Sequence, residues 1–302
     1  SFWFVEVVEH PKFPIDLAEP YVQTSKRAQE MGKTDYKSIV IQNKVEKDYL
    51  YSSILGSDLL PFCNLPYRLT VLPVSVSDKS FRIITKETAE MRAHKHMQQW
   101  LEQAENNWSK IRGQKAEKMT IYERLDRGKA ISNQDPLAKL VVVYNATGRK
   151  NLVASLLHSD EFHKVGEGQR SIATQGFICD HKAYMYYPKS SDEAYYLIAI
   201  LNSNFVFSIL LKIKSARGIH KKIWELPIPL YDKDNPLHRA ISKLGMICEQ
   251  KARKLLDEEL RHFGSTESLH TGATGKLRKV LREGIKKELD EIDKHVASLL
   301  KA

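Results

Sequence analysis

The sequence predicts an α+β fold with a mainly β N-terminal part, to about residue 185, and a helical C-terminal part. In the first part, short apolar runs alternate with Pro, Gly and Asn, a pattern typical of strands joined by turns. In the second part, apolar residues recur every three or four positions over long stretches, which indicates amphipathic helices. The chain has 302 residues, enough for two sub-domains.

The first 85 residues contain three runs that favour strands: residues 2–8, 38–41 and 69–76. The first run is aromatic and β-branched, and Pro11 and Pro14 follow it. Pro73 lies inside the third run and predicts an edge position or a bulge, because proline cannot donate to a sheet ladder.

One long helix is predicted as an insertion in this β part, over residues 86–112. Thr85 is placed to cap its start, since a threonine hydroxyl accepts a hydrogen bond from the first turn. The apolar spacing puts four side chains on one helix face, namely Met97, Leu101, Ala104 and Trp108.

The rest of the N-terminal part predicts a short helix over residues 121–125 and three strands. Residues 140–144 form a continuous apolar run, typical of a buried strand. The other two strands are expected at residues 151–157 and 183–187.

The helical part, residues 186–302, begins with a helix over residues 192–211, capped by Ser191 or Asp192. A basic loop over residues 212–222 and an extended stretch over residues 223–229 follow it. We expect two further helices, residues 235–262 and 276–300, to pack as an antiparallel pair through their apolar faces.

The charge balance favours a polyanionic partner. Lys and Arg total 47 against 37 for Asp and Glu, which gives a net charge of +10 and a pI of about 9.3. Binding to phosphates is favoured for such a chain because each neutralised phosphate releases condensed counterions. The competing interpretation is an even spread of solubilising charge.

The sequence also predicts a cytoplasmic location. Its three cysteines, Cys63, Cys179 and Cys248, are far apart and form no metal-binding spacing, as expected in a reducing compartment. Apolar runs stay well short of the roughly 20 residues of a membrane span, so no membrane partner is expected. The chain starts without Met and inside a predicted strand, which favours a fragment of a longer protein.

Three motifs suggest chemistry but lack necessary residues. Residues 272–276 resemble a phosphate-binding loop, yet His270 and Leu277 stand where that motif needs Gly and Ser or Thr. Residues 64–67 resemble an adenine-methyltransferase motif, but Leu65 replaces a Pro. His94 and His96 are two apart, which is not a helical metal-ligand spacing. The sequence therefore predicts no complete catalytic centre and no metal site.

Four groups of segments occur in one order along the chain. They comprise residues 50–62, 65–68 and 71–73; residues 128–134 and 143–149; residues 180–182; and residues 195–203, 216–218, 220–222 and 224–229. The most specific part is the order of Leu201-Asn202-Ser203, a basic loop and Leu226-Pro227-Ile228-Pro229.

In these segments the chain resembles the C-terminal target-recognition region of large N6-adenine DNA methyltransferases, of the type IIG restriction–modification and anti-phage kinds. The resemblance covers about residue 45 to the end. It implies an α+β reader of duplex DNA followed by helices. It also implies that a methyltransferase domain of the same parent protein, with S-adenosylmethionine as its cofactor, flips and methylates the adenine.

With this resemblance, the basic residues become candidate DNA contacts. Arg217 can donate to guanine O6 and N7 as a fork, while lysines suit phosphates. The competing interpretation is an ordinary exposed turn for the loop and for Arg149, Lys150 and Arg170, and a weak local ion pair with Asp180 for Lys182. The candidates are Lys212, Lys214, Arg217, His220, Lys221 and Lys222 in the loop, Arg149 and Lys150 after a strand, Arg170 in a polar loop, and Lys182 before a strand.

Two other classes of function stay open on the sequence. One is a nuclease whose active site has no familiar motif. The other is a protein-interaction scaffold built on the two C-terminal helices.

Overall fold

A computed structural model of the chain describes residues 2–10, 16–30, 37–146, 152–166, 171–180, 183–213, 222–262 and 271–301. The predicted α+β class is confirmed: helices make up 47% and strands 21%, with sheets towards the N-terminus and helices towards the C-terminus.

The strands are short and pair antiparallel. They are β1 (Phe4–Val7), β2 (Tyr21–Thr24), β3 (Gln42–Lys44), β4 (Leu50–Ser53), β5 (Leu59–Leu60), β6 (Cys63–Asn64), β7 (Arg68–Val71), β8 (Val74–Ser77), β9 (Ser80–Ile83), β10 (Leu140–Asn145), β11 (Ala154–His158), β12 (Lys164–Val165), β13 (Ile172–Ala173) and β14 (Ala183–Tyr186). The α-helices are α1 (Lys26–Glu30), α2 (Lys86–Met91), α3 (Lys95–Ile111), α4 (Ile121–Leu125), α5 (Ser191–Asn202), α6 (Asn204–Ile213), α7 (Pro236–Leu260), α8 (Thr271–Gly284) and α9 (Lys286–Lys301).

The chain forms two compact units whose segments interleave. Unit 1 comprises residues 1–53, 67–137 and 159–179, and unit 2 comprises residues 54–66, 138–158 and 180–302. This partition cuts across the predicted boundary near residue 185. The reason is that β10 and β11 pack their apolar side chains with those of the C-terminal helices in one core, so strands and helices share unit 2.

Unit 1 is built on a five-stranded sheet in the order β3-β2-β1-β7-β4. The predicted helix face is confirmed, because Met97, Leu101, Ala104 and Trp108 are all buried on α3. The prediction of one helix over residues 86–112 was wrong. The chain breaks between α2 and α3, where Ala93 adopts a φ of +59°, a value that no helix accommodates.

Two strand predictions in unit 1 were also wrong in position. The strand expected over residues 38–41 lies at β3, and the run over residues 69–76 is divided into β7 and β8. The division falls at Leu72 and Pro73, which agrees with the exclusion of proline from a central ladder.

Unit 2 packs helices on a three-stranded sheet in the order β11-β10-β14. Helix α5 lies on β10 and β11 and packs along α7 on its other side. Asn235 caps α7 by accepting from the backbone N–H groups of Leu237 and His238, and Pro236 opens the helix. Both features follow from the sequence.

Two predicted helices of unit 2 are each broken in two. The helix expected over residues 192–211 starts at a cap from Ser190 and bends by 58° between α5 and α6. The helix expected over residues 276–300 starts earlier, at Thr271, and divides between α8 and α9.

Among the described residues, no single helix is long and apolar enough to span a membrane. The bent pair α5–α6, taken together, has the length and composition of a span.

The predicted antiparallel packing against α7 is confirmed for both halves of the last helix. Lys251 of α7 pairs with Glu288 of α9 at 2.7 Å. One turn further along α7, Leu255 lies over Gly284 at the end of α8. From the first contact to the second, the residue number rises from 251 to 255 in α7 and falls from 288 to 284 in its partner, as antiparallel packing requires.

Gly245 sets the distance between α5 and α7. A Cβ atom at this position would lie 2.2 Å from the carbonyl oxygen of Tyr195, so Gly245→Ala must push the helices apart. We expect a loss of about 1–3 kcal/mol in the free energy of unfolding, measured by urea denaturation. Gly275→Ala is the matched control, because open space surrounds that helical glycine and alanine favours a helix by roughly 0.5–1 kcal/mol. Equal stability of the two variants would contradict this packing.

Candidate nucleic-acid interface

Of the predicted DNA-contacting residues, the structure describes Lys212 and Lys222. Lys212 is exposed in the last turn of α6. Lys222 donates to Glu225 at 2.6 Å, an exposed ion pair of small net stability. The other candidates lie outside the described residues: Lys214, Arg217, His220, Lys221, Arg149, Lys150, Arg170 and Lys182.

Three of these candidates belong to segments that attach at one end of the β11-β10-β14 sheet. Asn145, at the end of β10, pairs with Ala183 at the start of β14. Its side-chain oxygen accepts from the backbone N–H of Val153 at 2.9 Å. The segments carrying Arg149 and Lys150, and Lys182, therefore join described residues that lie side by side.

Asn202, the last residue of α5, binds the same end of the sheet and is wholly buried. Its Nδ2 donates to the carbonyl of Ala154 at 2.8 Å, and its Oδ1 accepts from the Ala154 N–H at 3.2 Å. The side-chain amide thus pairs with strand β11 as a neighbouring peptide group would.

The adjacent Ser203 begins the bend into α6. Its hydroxyl donates to Asp293 of α9 at 2.6 Å, and the same carboxylate accepts from the side chain of Asn204 and the N–H of Phe205. The carboxylate satisfies the N–H of Phe205 and the Ser203 hydroxyl accepts from that of Val206, so the first turn of α6 is capped and its dipole is complemented by a negative charge. The Leu201-Asn202-Ser203 motif is therefore a structural junction.

Two arginines of α8 reach into unit 2 and were not among the predicted site residues. Arg278 donates to the carbonyls of Ser57 and Leu59, with Nη2 to Leu59 O at 2.6 Å. Arg282 donates to Leu152 O at 3.1 Å, to Asn202 O at 3.3 Å and to Asn204 Oδ1 at 2.9 Å. Their spacing of four residues was the signal available in the sequence, because it places both on one helix face.

Burial lowers the pKa of both guanidinium groups, while Asp58 near Arg278 and Asp293 near Arg282 oppose that effect. Arginine nevertheless stays charged at neutral pH. The Nε atom of Arg282 is buried and has no hydrogen-bond partner among the described residues.

Beside these arginines, a pocket of about 520 Å³ runs along one face of α8 and α9. Asn204, at the start of α6, forms part of its wall. The charged residues that line it are four basic and two acidic: Arg278, Lys279, Arg282 and Lys286, with Glu283 and Asp290. The lining therefore has a net positive charge of the kind that attracts anions.

The net charge of the chain is concentrated in two segments of unit 2. Residues 212–222 contain five basic and no acidic residues, and residues 271–287 contain six basic and one acidic. Each segment has a net charge of +5, so together they account for the whole +10. The remaining residues hold equal numbers of basic and acidic side chains, 36 of each. Positive charge is therefore denser in these two segments than the average over the chain.

The other motifs occupy structural positions. Lys276 lies inside α8 and does not follow a strand and a loop, as a phosphate-binding loop requires. Asn64 accepts from the hydroxyl of Ser155 and donates to the carbonyl of Leu65. Gln134 bonds both backbone groups of Cys179. Within the described ranges, no cluster of His, Cys, Asp and Glu could hold a metal ion.

Comparison with protein-family models and with curated proteins finds no match for this chain. Inference about its function therefore depends on the chemistry of these surfaces.

The junction at Asn202 offers a direct stability test. Asn202→Ala removes the acceptor of the Ala154 N–H, while the Ala154 carbonyl keeps the N–H of Phe62 at 3.0 Å. A buried polar group left unsatisfied costs about 1–3 kcal/mol. We expect the free energy of unfolding, measured by urea denaturation, to fall by that amount or more. Asn133→Ala, at an exposed position, is the control and should stay within about 0.5 kcal/mol of the wild type. An Asn202 variant as stable as this control would refute the structural role of the junction.

Proposed function

We propose that this chain binds duplex DNA and serves as the target-recognition region of an N6-adenine DNA methyltransferase of restriction–modification or phage-defence type. The observation that carries the proposal is the concentration of the whole net charge of +10 in residues 212–222 and 271–287. Both segments belong to unit 2.

Concentrated positive charge favours DNA because a duplex presents a dense line of phosphates and a condensed counterion layer. Charge that served solubility alone would have no reason to be dense in two segments of the chain. The lysines of these segments suit phosphate contacts, which position the duplex without reading its bases.

Further DNA contacts are assigned to the segments that the polar junctions support. Asn145 and Asn202 fix the end of the sheet to which the segments carrying Arg149, Lys150 and Lys182 attach. A reader of this kind needs its contact residues on short segments held by a rigid frame. Adenine methylation itself is assigned to a methyltransferase domain of the same parent, with S-adenosylmethionine as methyl donor.

Salt dependence tests the proposal on the chain as it stands. We expect fluorescence anisotropy with a labelled duplex to show binding that weakens steeply with added salt, because each phosphate contact contributes about 0.9 to the slope of log K against log salt. A polyanionic protein of similar charge is the control. Absence of a salt slope, or equal affinity for the acidic protein, would overturn DNA binding.

A nicking assay with supercoiled plasmid and Mg²⁺ on the same preparation addresses the competing nuclease hypothesis. We expect the plasmid to stay intact. Cleavage that co-purifies with the chain would replace the proposed passive reader with an enzyme.

Separate roles are expected for residues of the basic loop. Arg217→Ala should relax sequence choice at one base pair of the methylated site, since a bidentate Arg–guanine pair contributes about 1–3 kcal/mol of discrimination. Lys221→Ala with Lys222→Ala should weaken binding to every sequence and flatten the salt dependence. Methylome sequencing of cells expressing the parent protein with each variant is the measurement. An unchanged motif at full methylation in the Arg217 variant would exclude this loop from base reading.

A further inference from the structure

We infer that the pocket along α8 and α9 binds a backbone phosphodiester of the DNA, as a contact separate from residues 212–222. The inference rests on the proposed function and extends it to a named site. Three helices form the walls of the pocket: α8 and α9 provide the basic side chains, and α6 provides Asn204.

The two arginines give this pocket a fixed positive charge. Arg278 and Arg282 donate to neutral carbonyl and amide oxygens, and neither forms an ion pair within the described ranges. Neutral acceptors hold a guanidinium in place without cancelling its charge. Asp58 and Asp293 lie near enough to affect the pKa values of the arginines. Asp293 also accepts hydrogen bonds from Ser203, Asn204 and Phe205.

Two exposed lysines supply the adaptable part of the site. Lys286 has no ion-pair partner among the described side chains, and Lys279 is 3.8 Å from Glu283 in an exposed pair that is easily exchanged. A phosphodiester brings one negative charge, and lysine suits it as a compact cation on a flexible stem. A site with fixed arginines and flexible lysines binds the phosphate and positions the duplex, and it has no preference among bases.

The distance from the pocket to Lys212 fits one duplex. Asn204 and Lys212 are eight residues apart on α6, which corresponds to about 12 Å of helix. A turn of B-DNA is roughly 34 Å long, so one duplex segment can contact the pocket and Lys212 together.

The test removes two charges from the pocket and compares the result with the same removal elsewhere. Lys279→Gln with Lys286→Gln alters the pocket, while Lys243→Gln with Lys254→Gln changes two exposed lysines of α7 that lie outside the pocket and outside both basic segments. Both double variants lower the net charge equally, so long-range attraction to DNA is matched. All four side chains are exposed, so the fold should be retained, which circular dichroism checks.

We expect the pocket variant to lose roughly one to two units of the salt slope in duplex binding, and the control variant to keep the wild-type slope. Equal slopes for the two variants, beside a steep wild-type slope, would overturn the pocket and leave DNA binding intact. A wild type with no slope would instead overturn the proposed function and the pocket together.

A second measurement separates the backbone phosphate from a free one. Inorganic phosphate is titrated at constant ionic strength, and the melting temperature is followed for the wild type and both variants. We expect little stabilisation of any of them. Stabilisation of the wild type and control variant only, with equal salt slopes for DNA, would assign the pocket to a free phosphate and refute the inference.

Discussion

The structure of unit 2 depends on the two residues that join α5 to α6. Asn202 pairs its side-chain amide with both backbone groups of Ala154 at the edge of the sheet. The Ser203 hydroxyl and the N–H of Phe205, in the first turn of α6, donate to Asp293 of α9. One bend therefore holds the sheet, the bent helix pair and the last helix together. Leaving a buried polar group without a partner is costly, so this junction admits few other arrangements.

Arg282 connects that junction to the charged surface. Its guanidinium bonds the carbonyls of Leu152 and Asn202 inside the unit, while its helix carries Lys279 on the exposed side. Burying a charge is costly unless it is hydrogen-bonded, and here backbone carbonyls provide the acceptors. The same residue thus serves packing and keeps a positive charge beside the pocket. The Leu201-Asn202-Ser203 motif, which was singled out in the sequence, therefore has a structural role in this unit.

In unit 1 as well, a residue far away in the chain stabilises the start of a helix. The carboxylate of Glu46 accepts from the N–H groups of His96 and Met97, and so caps α3 from about fifty residues away. By contrast, Thr85 caps α2 from the adjacent position and was predicted. A cap supplied by a neighbouring residue can be recognised in the sequence, whereas a cap supplied by a residue far away in the chain cannot.

By itself the sequence determined the α+β class, the buried face of α3, the start of α7 and the surplus of positive charge. These properties depend on residue spacing and on local hydrogen bonds, which neighbouring residues decide. Tertiary structure alone decided the breaks at Ala93, Ser203 and Ile285, the mixing of strands and helices in unit 2, and the burial of Arg278 and Arg282. Each of these depends on an acceptor or an apolar surface far away in the chain. The sequence pattern indicates that an arginine lies at the surface, because its side chain is charged. It does not indicate which backbone carbonyl groups a buried arginine binds.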